Sequence, residues 1–101
     1  MSKSRTTTKL SPIHPGEVLN EALREAGVSR TQAAIAMGLP PNTLSRIITG
    51  KRNITAPIAL RIARYFGTSA DMWLGIQSDY DLAIAEDRDG SRIAHEVKTA
   101  R

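Results

Sequence analysis

The stretch Arg30-Thr-Gln-Ala-Ala-Ile-Ala-Met-Gly-Leu-Pro-Pro-Asn-Thr-Leu-Ser-Arg-Ile-Ile-Thr49 reads as two short helices hinged at a glycine. Ser29 and Gln32 have the Ser-x-x-Gln spacing of a capping box, which predicts a helix from Arg30 to Met37. Gly38 then takes the left-handed conformation that ends it. Leu39-Pro40 makes the turn, and Pro41 is expected to open the next helix, whose inward residues are Leu44, Ile47 and Ile48 and whose stop is Gly50. Ala34 is small where the two helices would cross, and Ala33, Met37, Leu39, Leu44 and Ile47 supply core contacts. Asn42, Ser45, Arg46 and Thr49 follow at i, i+3, i+4 and i+7, a polar face opposite the apolar one. Close crossing, tight turn and polar outer face together are the plan of a helix-turn-helix DNA reader.

The charge pattern around this stretch agrees. Between Ala26 and Ala70 stand six basic residues, Arg30, Arg46, Lys51, Arg52, Arg61 and Arg64, and no acid, although the chain has ten acids elsewhere. A one-signed segment of that length is a candidate polyanion-binding surface. The net charge of +4 is modest, so its distribution carries the argument.

At 101 residues the chain suits one small domain. The absence of cysteine removes disulfides and thiolate metal sites and agrees with a reducing cytoplasm. No apolar run approaches the ~20 residues that span a bilayer, and the first ten residues lack a signal core, so a soluble cytoplasmic protein is expected. Residues 1–13 read as a basic, mobile arm, residues 14–86 as the folded domain, and residues 87–101 as a charged tail.

Within the domain, Pro15 and Glu17 suit the start of a helix over residues 15–26, with Val18, Leu19, Ala22, Leu23 and Ala26 as its apolar stripe and Gly27 as its stop. Thr55 is expected to cap a fourth helix with Ile58, Ile62, Ala63 and Phe66 apolar, ending at Gly67. Ser69 caps a fifth, with Met72, Trp73, Ile76, Tyr80, Ala83 and Ile84 along one side. No strand pattern appears, so the expected class is all-α, a compact five-helix bundle.

His14-Pro-Gly-Glu17, the stretch Ser29 to Gly50, Lys51-Arg52 and the later Gly67-Thr-Ser-Ala-Asp-Met-Trp-Leu74 with Gln77 and Tyr80 resemble the HigA family of bacterial antitoxins, within the Xre/Cro-like, lambda-repressor-like class. The resemblance covers residues 13–86. It implies an antitoxin that neutralises a HigB-type mRNA-cleaving toxin and, as a homodimer, represses its own operon. Arg30, where the wider class favours glutamine, and the two prolines at the turn depart from the pattern, so base preference does not carry over.

Arg46 has the fork that reads guanine and Asn42 the amide that reads adenine, although either side chain also suits a phosphate. Thr43 and Ser45 suit a base edge or a backbone oxygen. Arg30 is expected against the DNA backbone at a helix start. Lys51, Arg52 and Asn53 read as backbone clamps, with a solvated loop position the alternative for Asn53, and Pro41 and Thr49 stand at the two ends of the reading helix. Arg61 and Arg64 read as a solvated outer face. Glu17, Glu21 and Glu25 line one face of the first helix, either as a solvated face with a Glu21–Arg24 pair or as a toxin dock. Trp73 suits a core position, and the resemblance adds a role between subunits for Trp73 and Tyr80. His14 belongs with the start of the first helix, and His95 with the exposed tail.

No cofactor and no metal are expected, and scattered acids with two distant histidines assemble no catalytic site. The expected partners are operator duplex DNA bearing an inverted repeat, the toxin and a second copy, with no membrane. The rival readings are a phage-type repressor without a toxin and an interaction module without duplex affinity.

Overall fold

The computed structural model describes residues 12–100, which form five helices and, among the described residues, no strand. They are α1 (Pro15–Ala26), α2 (Arg30–Ala36), α3 (Thr43–Ile48), α4 (Ala56–Phe66) and α5 (Ala70–Glu96). Eleven of the thirteen residues expected in the arm, 1–11, lie outside the described residues. Leu19, Leu23, Ala33, Leu44, Ile47, Ile58, Ile62 and Trp73, from all five helices, meet in one buried cluster. The apolar positions expected from helical spacing in α1 to α4 are the ones that pack, except Ala26, which is exposed in the last turn of α1.

Local chemistry sets the ends. Pro15 opens α1, and the His14 ring caps it, its Nδ1 accepting the Gly16 N–H at 2.8 Å. The capping box of α2 forms as expected, with the Gln32 N–H donating to Ser29 Oγ at 3.0 Å. At the other end of the reading unit, Gly50 has φ of 79°, which lets the Lys51 N–H turn back to the Arg46 carbonyl at 2.8 Å. The backbone that carries Lys51 is thereby tied to the end of α3.

Four expectations need correction. Pro41 does not open α3; the chain turns at Pro40 to Thr43, and Asn42 holds the cap position. The turn closed by the Thr43 N–H on the Pro40 carbonyl at 3.0 Å takes up Pro41 and Asn42, so the helix starts two residues later than expected. Thr55 precedes α4 without any side-chain cap bond. α5 runs unbroken for 27 residues to Glu96, so the boundary expected at Glu86 lies inside a helix. There Asp89 accepts from Arg88 at 3.0 Å and Arg92 at 2.8 Å, which supports helix where apolar periodicity is weak. Finally, Met72 and Ile84 are exposed; the packed side of α5 is defined by Trp73 and Gln77, four residues apart.

Candidate nucleic-acid interface

α2 and α3 pack through Ala33, Ala34, Leu44 and Ile47, all with no exposed surface. α1 closes the other side of α3. A Cβ on Gly16 would stand 2.5 Å from the Ile47 carbonyl oxygen and 2.8 Å from the Ile48 Cα. Only a residue without a side chain lets the start of α1 abut the last turn of α3. α3 is thus held from two sides, by side-chain packing against α2 and by close backbone approach to α1.

What α3 shows outward is narrower than the sequence reading. Asn42 and Arg46 are exposed and make no side-chain hydrogen bond among the described residues, so both keep their donors for another partner. Ser45 is half-buried beside them. Thr43, expected as a contact, is 1 % exposed and belongs to the core. It is buried because it, not Pro41, begins the helix, which turns its side chain inward beside Leu44. Thr49 is exposed, but its hydroxyl donates to the Ser45 carbonyl at 2.8 Å and leaves only lone pairs facing out.

Around this face, Lys51 and Arg52 are exposed immediately beyond α3. Asn53 is turned the other way, its Oδ1 accepting from Gln77 Nε2 at 3.4 Å. Arg30 is half-buried at the start of α2, one nitrogen 3.5 Å from the Asn20 amide oxygen. Pro41 is exposed in the turn.

Two supporting residues went unassigned in the sequence. Gln77 is 5 % exposed on α5, and its Oε1 accepts the Ile54 N–H at 2.8 Å while Nε2 donates to Asp81 Oδ1 at 3.0 Å. It satisfies a buried amide in the loop that carries Lys51 to Asn53 and ties that loop to α5. A polar residue one turn from Trp73, on the buried side of a helix, was the available signal. Arg61 is exposed, as expected, and its guanidinium also donates to the Met37 carbonyl at 2.8 Å. Arg64 fits the expected solvated face.

The charges are segregated by element. All ten acids lie on α1 and α5, whereas α2, α3, α4 and their loops carry six cations and no acid. α1 and α5 are neighbours, the His14 and Tyr80 rings meeting edge to face with centroids 4.7 Å apart. Glu17, Glu21 and Glu25 are exposed, and no Glu21–Arg24 ion pair forms among the described residues. Trp73 is 1 % exposed in its own protomer, its indole N–H bonded to Thr68 Oγ1 at 2.9 Å, so it has no surface to share with a second subunit. Its size and stripe position suit the core, and the core takes it.

The sequence profile of the helix-turn-helix family matches residues 19–73. Over 74 % of the chain and 71 % of the relative, the sequence is 40 % identical to antitoxin HigA-1 of Vibrio cholerae. The chain belongs to the HigA family of helix-turn-helix proteins. This HigA-family chain is also 41 % identical to virulence-associated protein I of Dichelobacter nodosus, over 85 % of its own length and 81 % of that protein. Its fold is similar to that of Pseudomonas aeruginosa antitoxin HigA, solved with the higBA promoter, at a TM-score of 0.84 and 41 % identity, covering 89 % of this chain and 99 % of that one. No helix among the described residues is long and apolar enough to cross a membrane.

Proposed function

We propose that this HigA-family chain is an antitoxin that represses its own operon, binding duplex DNA through α3 and neutralising a HigB-type toxin through a separate surface. The observation that carries this reading is the exposed, unengaged pair Asn42 and Arg46 on a helix held by backbone contact, flanked by Lys51 and Arg52 in a segment without acids. Arg46 and Asn42 read base edges, while Lys51, Arg52 and Arg30 neutralise phosphate. A two-fold dimer sets its two reading helices about 34 Å apart, so the operator is an inverted repeat. Of the two residues expected between subunits, only Tyr80 keeps exposed surface for that role.

The toxin dock is assigned to Glu17, Glu21 and Glu25. They are exposed on α1, outside the acid-free segment, and an RNA-cleaving toxin needs a cationic surface of its own. The protein works by binding rather than by catalysis, in the bacterial cytoplasm and on the nucleoid when operator-bound. A reporter driven by the region upstream of the gene tests repression. Supplying the chain should silence it and Arg46→Ala should not. Co-expression should rescue growth from the toxin encoded alongside. A reporter indifferent to the chain would refute repression, and a neighbouring gene without toxicity would favour a plain repressor.

A further inference from the structure

We infer that Arg61 is a positioning residue for operator recognition: from α4 it holds the hinge of the helix-turn-helix, and Gly38 lacks a side chain partly to make room for it. The Arg61 Nη1 donates to the Met37 carbonyl at 2.8 Å. Met37 is the cap residue of α2, whose terminal carbonyls have no partner within the helix. A cation there also answers the negative end of the helix, and α2 has no basic residue in its own last turn. Arg61 therefore supplies from another helix what α2 lacks.

The glycine beside it meets two demands. Gly38 has φ of 76°, and a Cβ built there would stand 2.6 Å from the same Arg61 Nη1. Gly50 has a nearly equal φ of 79°, yet a Cβ there meets nothing within 4 Å. Gly38 thus answers the backbone and also the guanidinium; Gly50 answers the backbone alone. The Met37 side chain is buried in the core, so the hinge is gripped from inside by that side chain and from outside by Arg61. Arg64, one turn along α4, makes no comparable bond among the described residues. The angle between α2 and α3 decides what α3 presents to a groove, which is why a clamp on the hinge bears on recognition.

This inference rests on α3 being the reading helix, and its test has one arm that does not need DNA. Alanine at Gly38 strains the backbone and pushes the guanidinium off the Met37 carbonyl, whereas alanine at Gly50 only strains. Thermal unfolding of Gly38→Ala, Arg61→Met and the double variant should therefore be non-additive, the alanine lowering the midpoint less once Arg61 is gone. Additive effects, with Gly38→Ala no worse than Gly50→Ala, would overturn the clamp. In the second arm, Arg61→Met should lose about ten-fold in affinity for the upstream duplex, the lower range of one lost base contact. Affinity for a scrambled duplex and the salt slope should not change, and Arg61→Lys, which keeps a donor, should recover most of the loss. Equal losses on both duplexes with a slope reduced by about one would make Arg61 a phosphate contact instead. Parent-like affinity on both would leave it a residue of the fold alone. If the parent itself does not prefer the upstream duplex, the assignment of α3 fails and so does the positioning role, while the unfolding cycle still judges the clamp.

Discussion

Replacing Gly16 and Gly75 by alanine makes the same chemical change on two helices and should move stability in opposite directions. Gly75 lies inside α5, and a Cβ there meets nothing within 4 Å beyond its own helix. Alanine restricts the unfolded chain and favours helix by about 0.5–1 kcal/mol. At about 4–8 °C per kcal/mol for a domain of this size, the midpoint should rise by about 2–8 °C. Gly16 lies in the first turn of α1, where the propensity gain is at most ~1 kcal/mol. Against it stands a Cβ at 2.5 Å from the Ile47 carbonyl oxygen and 2.8 Å from the Ile48 Cα. Overpacking of this kind costs about 1–3 kcal/mol, and backbone cannot rotate out of the way as a side chain can, so the upper half of that range applies. The net loss is about 1–2 kcal/mol, a fall of about 4–16 °C. Calorimetry of the two variants decides the matter. Because Ile47 and Ile48 belong to α3, Gly16→Ala should also weaken operator binding while Gly75→Ala leaves it unchanged. A Gly16→Ala protein as stable as its parent would refute the backbone contact between α1 and α3.

Arg46→Ala should weaken operator binding by about 1–3 kcal/mol and affect scrambled duplex much less; equal losses in a competition assay would reassign Arg46 to phosphate. Gln77→Leu keeps the volume but strands the buried Ile54 N–H, so stability should fall by about 1–3 kcal/mol, and an unaltered denaturation midpoint would show that the latch carries no weight. Changing Glu17, Glu21 and Glu25 together to glutamine should slow toxin association, most at low salt, and spare operator binding; an unchanged association rate in a folded variant would move the dock elsewhere. Hydrogen bonds from Arg92 and Arg88 hold the Asp89 carboxyl below its usual pKa. The stabilisation this confers on the end of α5 is present above the unfolded pKa and is lost as pH falls through the lower folded value. An acid titration followed by circular dichroism should show a loss of helix that Asp89→Asn lacks.

The fold was legible wherever a helix end or an apolar stripe is written locally. The capping box at Ser29, the glycine stops and the stripes of α1 to α4 are short-range chemistry, and each lies where its spacing puts it. The misplacements share another origin. Pro41 suits a first helical position in isolation, but the turn from Pro40 to Thr43 takes it up and α3 starts at Thr43, a candidate contact that lies in the core. The last part of α5 is held by ion pairs rather than by periodicity, so apolar spacing passed over it. At the site, the outward pair Asn42 and Arg46 follows from residue type and helical phase. Gly16, Arg61 and Gln77 act through residues 31, 24 and 23 positions away, on Ile47, Met37 and Ile54, and no local pattern records such contacts. Trp73 stood between two readings because an apolar stripe does not state which partner it faces.

In the proposed function α3 reads a particular duplex. The most direct measurement is a pair of equilibrium isotherms across a salt series, one for the duplex immediately upstream of the gene and one for a scrambled duplex of equal length and composition. Both should show steep salt dependence, from Arg30, Lys51 and Arg52 on phosphate, and the upstream duplex should be preferred by about 10³-fold or more at physiological salt. Indistinguishable isotherms at every salt concentration would contradict it.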